Sequence, residues 1–184
     1  MTGFRILGIC GSLRRGSFNL AALRAAVDLA PEGISLEIAL IGEIPLFNDD
    51  VRAVGIPAPV IELAGRIVAA DAVLIATPEY NYSIPGVLKN AIDWVSRCDP
   101  QPFRDKAVAI MGASPGAIGT ARAQYDLRKV FVFLDAHVMN KPEIMISAAG
   151  QRFDGAGVLT DAATRQLIGQ QLAALRDWAM RLRS

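Results

Sequence analysis

The chain has 184 residues, 52% hydrophobic and 20% charged, and its 19 Lys and Arg stand against 18 Asp and Glu for a formal net charge of +1. That length supports one domain with a sizeable core, so residues 1–184 are expected to form a single domain. The near-neutral balance gives no sign of a nucleic-acid binder, which is usually clearly basic, and no apolar run is long enough to span a bilayer. Two cysteines, Cys10 and Cys98, make neither a disulfide framework nor a metal cluster. With no signal-peptide pattern at the N-terminus, the expectation is a cytoplasmic protein with reduced thiols and no membrane partner.

Strand and helix patterns alternate along the chain. Residues 4–10 read as a buried strand and 18–30 as a helix that stops around Pro31 and Gly33. Ile34 to Ile38 alternates apolar and polar, as a strand with one wetter face does. Residues 41–56 lack a clean period and read as an irregular loop; 58–69 carry helical spacing. Ala72-Val73-Leu74-Ile75-Ala76 and Ala107-Val108-Ala109-Ile110-Met111 are continuous apolar runs, the mark of central parallel strands covered on both faces. Pro85 opens the helix between them, with Leu88, Ala91, Ile92 and Val95 on its buried side. Leu127, Val130, Phe131 and Leu134 define the next helix. Residues 137–147 are extended but hold Pro142, which places that strand at a sheet edge. Thr160 is expected to cap a last helix bearing Ile168, Leu172, Leu175, Ala179 and Leu182. Five strands alternating with five helices predict an α/β three-layer sandwich around a five-stranded parallel sheet of order 2-1-3-4-5.

In such sheets, ligands bind beyond the carboxyl ends of the strands, where the connections diverge. Three unusual loops leave those ends. The first, Gly11-Ser12-Leu13-Arg14-Arg15-Gly16-Ser17-Phe18-Asn19, is a strand-to-helix turn. Free N–H groups and the dipole of the following helix favour an anion there. Ser12, Ser17 and Asn19 supply side chains for a phosphate, and Arg14 and Arg15 supply charge; the plainer alternative is that Ser17 or Asn19 caps the helix and the arginines are solvated. The second loop, Thr77 to Ser83, holds Pro78, Glu79, Tyr80, Asn81 and Tyr82. Its proline stiffens a backbone rail suited to a flat heterocycle, and its tyrosines can wall off a ring or pack on a neighbour. Glu79 reads as a solvated loop glutamate and not as an acid or base. The third, Ala113 to Gly119, has the small residues that allow close approach to the backbone.

No Gly-Lys-Ser/Thr ends the first loop, the glycine spacing misses the dinucleotide fingerprint, and neither a nucleophile elbow nor metal-ligand spacing is present. His137, the single histidine, falls in the edge-strand region and reads as structural. With a phosphate cradle, a ring slot and no acid–base machinery, the chemistry belongs to a cofactor, and flavin mononucleotide (FMN) fits this switch point.

The first loop, then Pro78-Glu79-Tyr80-Asn81 followed by Ser83-Ile84-Pro85-Gly86-Val87-Leu88-Lys89-Asn90-Ala91-Ile92-Asp93-Trp94, closely resembles the NADPH-dependent FMN reductase family, and within it the bacterial chromate and quinone reductases. The likeness extends over nearly the whole chain, including Arg122 to Tyr125 and Val132 to Asp135. It implies a flavodoxin-like fold, tightly bound FMN, NADPH or NADH as co-substrate and a homodimer or homotetramer. It places the flavin phosphate at Ser12, Arg14, Ser17, Phe18 and Asn19, and the isoalloxazine ring at Pro78, Glu79, Tyr80 and Asn81. The third segment matches Ser114, Gly116 and Gly119, although Thr120 stands where relatives often have a second glycine. The implied acceptors are small molecules: quinones, azo compounds, free flavin or metal oxyanions such as chromate. A flavodoxin-type carrier is the alternative, weakened by the chain's near-neutral charge; a flavin-sensing binding protein is a third. The helices bearing Trp94 and bearing Tyr125, Arg128 and Phe131 offer either a subunit interface or core packing.

Overall fold

A computed structural model describes residues 3–183, so Met1, Thr2 and Ser184, the ends of the expected 1–184 span, lie outside the described residues. The sheet is parallel throughout, with β2 (Ile34–Ala39), β1 (Phe4–Cys10), β3 (Ala72–Ala76) and β4 (Ala107–Ala113) side by side in that order. Every residue of β3 and β4 is buried, as their continuous apolar runs require. Side-chain alternation divides the core in two. Ile6, Cys10, Leu74 and Met111 face α1 (Phe18–Asp28) and α6 (Ala162–Leu182). Leu7, Ile9, Ile75 and Ile110 face α3 (Ala58–Ala69), α4 (Gly86–Val95) and α5 (Ala121–Phe133). Trp94 and Phe131 are fully buried in this second layer and serve as core, whereas Tyr125 is half exposed and donates to Glu143 at 2.9 Å.

The fifth sheet position differs from the single edge strand expected. It is filled by two short strands, β5 (His137–Val138) and β6 (Ile144–Ile146), each paired with β4. Pro142 falls between them, where it has no N–H to give to a ladder. Ile110 of β4 lies opposite this gap, and its carbonyl accepts from Gln171 Nε2 of α6 at 3.1 Å instead; the same nitrogen donates to the Pro142 carbonyl at 3.0 Å. A buried glutamine thus bridges the gap, its one nitrogen donating to a carbonyl on each side.

Two helix starts also depart from expectation. Within the stretch read as a loop, α2 (Asp49–Val54) forms because Asn48 Oδ1 accepts from the Asp50 N–H at 2.8 Å, and Asp49 and Asp50 sit in its positively polarised first turn. It buries no residue, so it leaves no apolar period to detect. The cap of α6 is Asp161 and not Thr160. Asp161 Oδ2 accepts from Thr164 N–H at 2.9 Å and from its hydroxyl at 2.6 Å, and Oδ1 pairs with Arg152 at 2.6 Å. These bonds, those from Thr164 first, lower the Asp161 carboxyl to about 2. A depressed carboxylate stabilises the fold fully above its unfolded value of about 3.9 and loses that contribution as pH falls through about 2. Asp161→Asn is therefore expected to flatten the acid limb of thermal stability between pH ~4 and ~2, read from melts across that range; an acid limb like that of wild type would contradict the assignment.

Candidate functional site

The carboxyl ends of β1, β3 and β4 meet around a cavity of about 280 Å³. Ser12, Arg14, Ser17, Phe18 and Asn19 line it from the first loop, Pro78, Glu79 and Tyr80 from the second, and Ala113, Ser114 and Pro115 from the third. The structure thus brings the three loops together and leaves Arg15, Asn81, Gly116 and Gly119 off the lining.

The first loop is drawn against its neighbour: Gly11 N–H donates to the Ala76 carbonyl at 2.8 Å, and a Cβ there would crowd Leu88, Ala76 and Thr77 at 3.0–3.3 Å. Ser12 Oγ accepts from the Arg14 N–H at 3.3 Å, and Ser17 is the helix cap, its Oγ accepting from the Leu20 N–H at 3.3 Å. Both hydroxyls keep an O–H to donate. The first intrahelical bond runs from the Ala21 N–H to the Ser17 carbonyl, so the N–H groups of Phe18 and Asn19 precede the ladder. Hydroxyls, helix N–H groups and the Arg14 guanidinium form a donor set that suits a phosphate. Beneath it Cys10 is buried, which raises its thiol pKa, and Sγ donates to the Ser12 carbonyl at 3.4 Å.

The Asn19 side chain turns toward the sheet. Its Oδ1 accepts from the Ala113 N–H at 2.8 Å and its Nδ2 donates to the Ala113 carbonyl at 3.0 Å. Phe18 packs against Phe153 in a tilted pair, with ring centroids 5.2 Å apart and planes at 38°.

In the second loop Pro78 is buried, and the Thr77 N–H donates to the Met111 carbonyl at 3.0 Å. Tyr80 and Ser83 exchange two backbone bonds of 3.1 Å around Asn81 and Tyr82, whose φ values of 50° and 67° are those of a tight hairpin turn. Asn81 therefore shapes the turn, a position that tolerates the left-handed conformation. Glu79 is not the solvated residue expected. Its side chain is only 9% exposed, and Oε2 accepts from the N–H groups of Arg122 and Ala123 at 3.0 and 3.2 Å. The N-terminal residue Thr120 gives α5 no side-chain cap, so Glu79 caps it from another loop. Oε1 also pairs with Arg122 at 2.9 Å, and that guanidinium lies 3.7 Å from the centroid of the Tyr82 ring. Glu79→Ala is expected to cost about 1 kcal/mol, or about 2–4 °C in a thermal melt, while Glu79→Gln, which keeps an acceptor, recovers most of it.

The third loop is fixed by β6 and the turn after it. Ser114 N–H donates to Ile146 at 3.0 Å, while Ala148 and Ala149 donate to the carbonyls of Gly116 and Ser114 at 3.1 and 3.0 Å. Gly116 sits inside this turn, its N–H on Ser114 Oγ at 3.1 Å. Gly119 has φ +62°, and a Cβ there would come within 2.8 Å of the Met145 backbone. It permits packing on β6 and does not face the cavity. Ala148, Ala149 and Phe153 support the site from a segment that carries no periodic signal, which is why the sequence did not single them out.

A family model described as NADPH-dependent FMN reductase matches residues 4–151. The chain belongs to the NADPH-dependent FMN reductase family. An NAD(P)H-dependent FMN reductase of Pseudomonas aeruginosa is 59% identical over 179 residues, covering 97% of each chain. The quinone reductase of Escherichia coli K12 is 44% identical over 182 residues, again covering 97% of each. Among solved structures, FerB, a flavoenzyme NAD(P)H:(acceptor) oxidoreductase from Paracoccus denitrificans, superposes with a TM-score of 0.86 at 35% identity, covering 97% of this chain and 98% of its own. The flavodoxin-like architecture and the oxidoreductase class, with FMN and NAD(P)H as its redox partners, follow for this FMN reductase family member. Among its described residues no helix is long and apolar enough to cross a membrane.

Proposed function

We propose that the cavity at the ends of β1, β3 and β4 holds FMN and that the enzyme passes reducing equivalents from NADPH or NADH to a quinone or a comparable small acceptor. The observation that carries this is the convergence of an anion-donor set and a stiff, aromatic-edged wall on one cavity at the switch point of the sheet. The chemistry bound FMN supplies is two-electron exchange between the nicotinamide and the acceptor. Ser12, Ser17, the N–H groups of Phe18 and Asn19, and Arg14 hold the phosphate. Pro78, Glu79, Tyr80 and Ser114 border the ring; Asn81, Gly116 and Gly119 act by shaping the loops that do so. Exposed Tyr80 and Tyr82, with Arg122 stacked on the latter, offer an aromatic and cationic rim to an arriving nicotinamide or acceptor.

The quinone reductases among the relatives support the quinone class; azo compounds, free flavin and chromate-like oxyanions are further acceptors of the same reading. It also takes residues 1–184 as a single domain, acting in the cytoplasm as a homodimer or homotetramer. The test is anaerobic mixing of the purified yellow protein with NADPH. Loss of the flavin absorbance, restored by a quinone, is expected. A flavodoxin-type carrier would keep its colour until a partner reductase is added.

A further inference from the structure

Resting on the assignment of FMN to this cavity, we infer that the side chain of Asn19 makes it a positioning residue: its amide locks the end of β4 to the start of α1 and so holds two walls of the flavin slot apart at a fixed width, without itself touching the phosphate. The Met111 carbonyl on β4 accepts from Thr77 N–H, the last bond on that edge before the chain turns away at Pro78. Two residues on, Ala113 presents its N–H and carbonyl to the same edge, where no strand remains. The Asn19 amide takes the vacant place. It offers one acceptor and one donor to Ala113 at 2.8 and 3.0 Å, as a neighbouring peptide group would. On the opposite edge β6 is still in register, with Ala113 beside Ile146. The side chain is 3% exposed, so its polar atoms are directed to the sheet. The same residue stands at the second position of α1, whose N–H groups form the anion cradle. One side chain thus ties the phosphate end of the cavity to the strand from which Ser114 and Pro115 emerge.

The test compares FMN with riboflavin, which lacks the phosphate, on full-length protein stripped of flavin and titrated by fluorescence quenching. Asn19→Ala is expected to weaken both ligands by a similar factor of about ten, the scale of one or two buried hydrogen bonds. Hydrogen exchange at the Ala113 amide is expected to accelerate. Asn19→Asp keeps the acceptor for the Ala113 N–H but sets a carboxylate against its carbonyl. Its affinity for both flavins is expected to recover as pH falls and the carboxyl regains a proton to donate, a trend wild type does not share. This second variant also serves if Asn19→Ala does not fold. Weakening of FMN alone would assign the Asn19 side chain to the phosphate and overturn the inference, as would unchanged affinities with unchanged exchange. Absence of FMN binding by wild type would instead remove the functional proposal, while the Ala113 exchange would still report on the lock.

Discussion

Gly112→Ala is expected to destabilise the fold by about 3 kcal/mol, the upper part of the range for overpacking a filled interior, and to lower the melting temperature by about 6–12 °C. Gly112 lies in β4, and a methyl group there would overlap the Thr120 hydroxyl and the Thr77 carbonyl. Neither obstacle yields easily. Thr77 presents backbone, and Thr120 is fully buried with its Oγ1 accepting from Gln124 Nε2 at 3.0 Å. The threonine hydroxyl fills the space above Gly112, so positions 112 and 120 are coupled. Gly65 in α3 is the control. A methyl group added there would have no neighbour within 4 Å, and Gly65→Ala is expected to stabilise the helix by about 0.5–1 kcal/mol. Equal melting temperatures for Gly112→Ala and wild type would contradict the packing described between the second and third loops.

Replacing both Ser12 and Ser17 by alanine is expected to weaken FMN about 100-fold while leaving riboflavin nearly unchanged. Each hydroxyl bond to a phosphate is charge-assisted and contributes about 1.5 kcal/mol or more, so the pair corresponds to a factor of about 100. Ser17 also caps α1, and the two roles separate through Ser17→Asp. Aspartate caps a helix as well as serine does, so the melting temperature should hold, while its charge repels the phosphate and FMN binding is lost. Riboflavin again reports on the pocket walls alone. Parallel loss of both flavins in the serine variants would place the phosphate elsewhere.

Much of this arrangement is legible in the residues because parallel sheets write themselves plainly. The runs at 72–76 and 107–111 have no polar face, which assigns them to the sheet centre and determines which loops share an end. Once the order was set, the loops after β1, β3 and β4 had to converge. The features that escaped are long-range polar bonds, which leave no period. Glu79 caps a helix more than forty residues away, and nothing in its own loop signals that. Asn19 is bonded to Ala113 across 94 positions, so its two amide atoms could not be assigned from a turn motif alone. Asn81 and Gly119 are where motif matching and geometry part: both occupy positive-φ positions that bend the loops, and the side chains on the cavity belong to their neighbours. Pro142 marks residues 137–147 as an edge strand but not as two strands, and the glutamine that bridges the gap comes from α6.

The most direct measurement is a crystal structure of the protein grown with FMN. Flavin is expected in the cavity between the three loops, its phosphate on Ser12, Ser17 and the first N–H groups of α1, its ring along Pro78 to Tyr80, and the Asn19 side chain still bonded to Ala113. Flavin bound elsewhere, or a phosphate turned away from the start of α1, would contradict it.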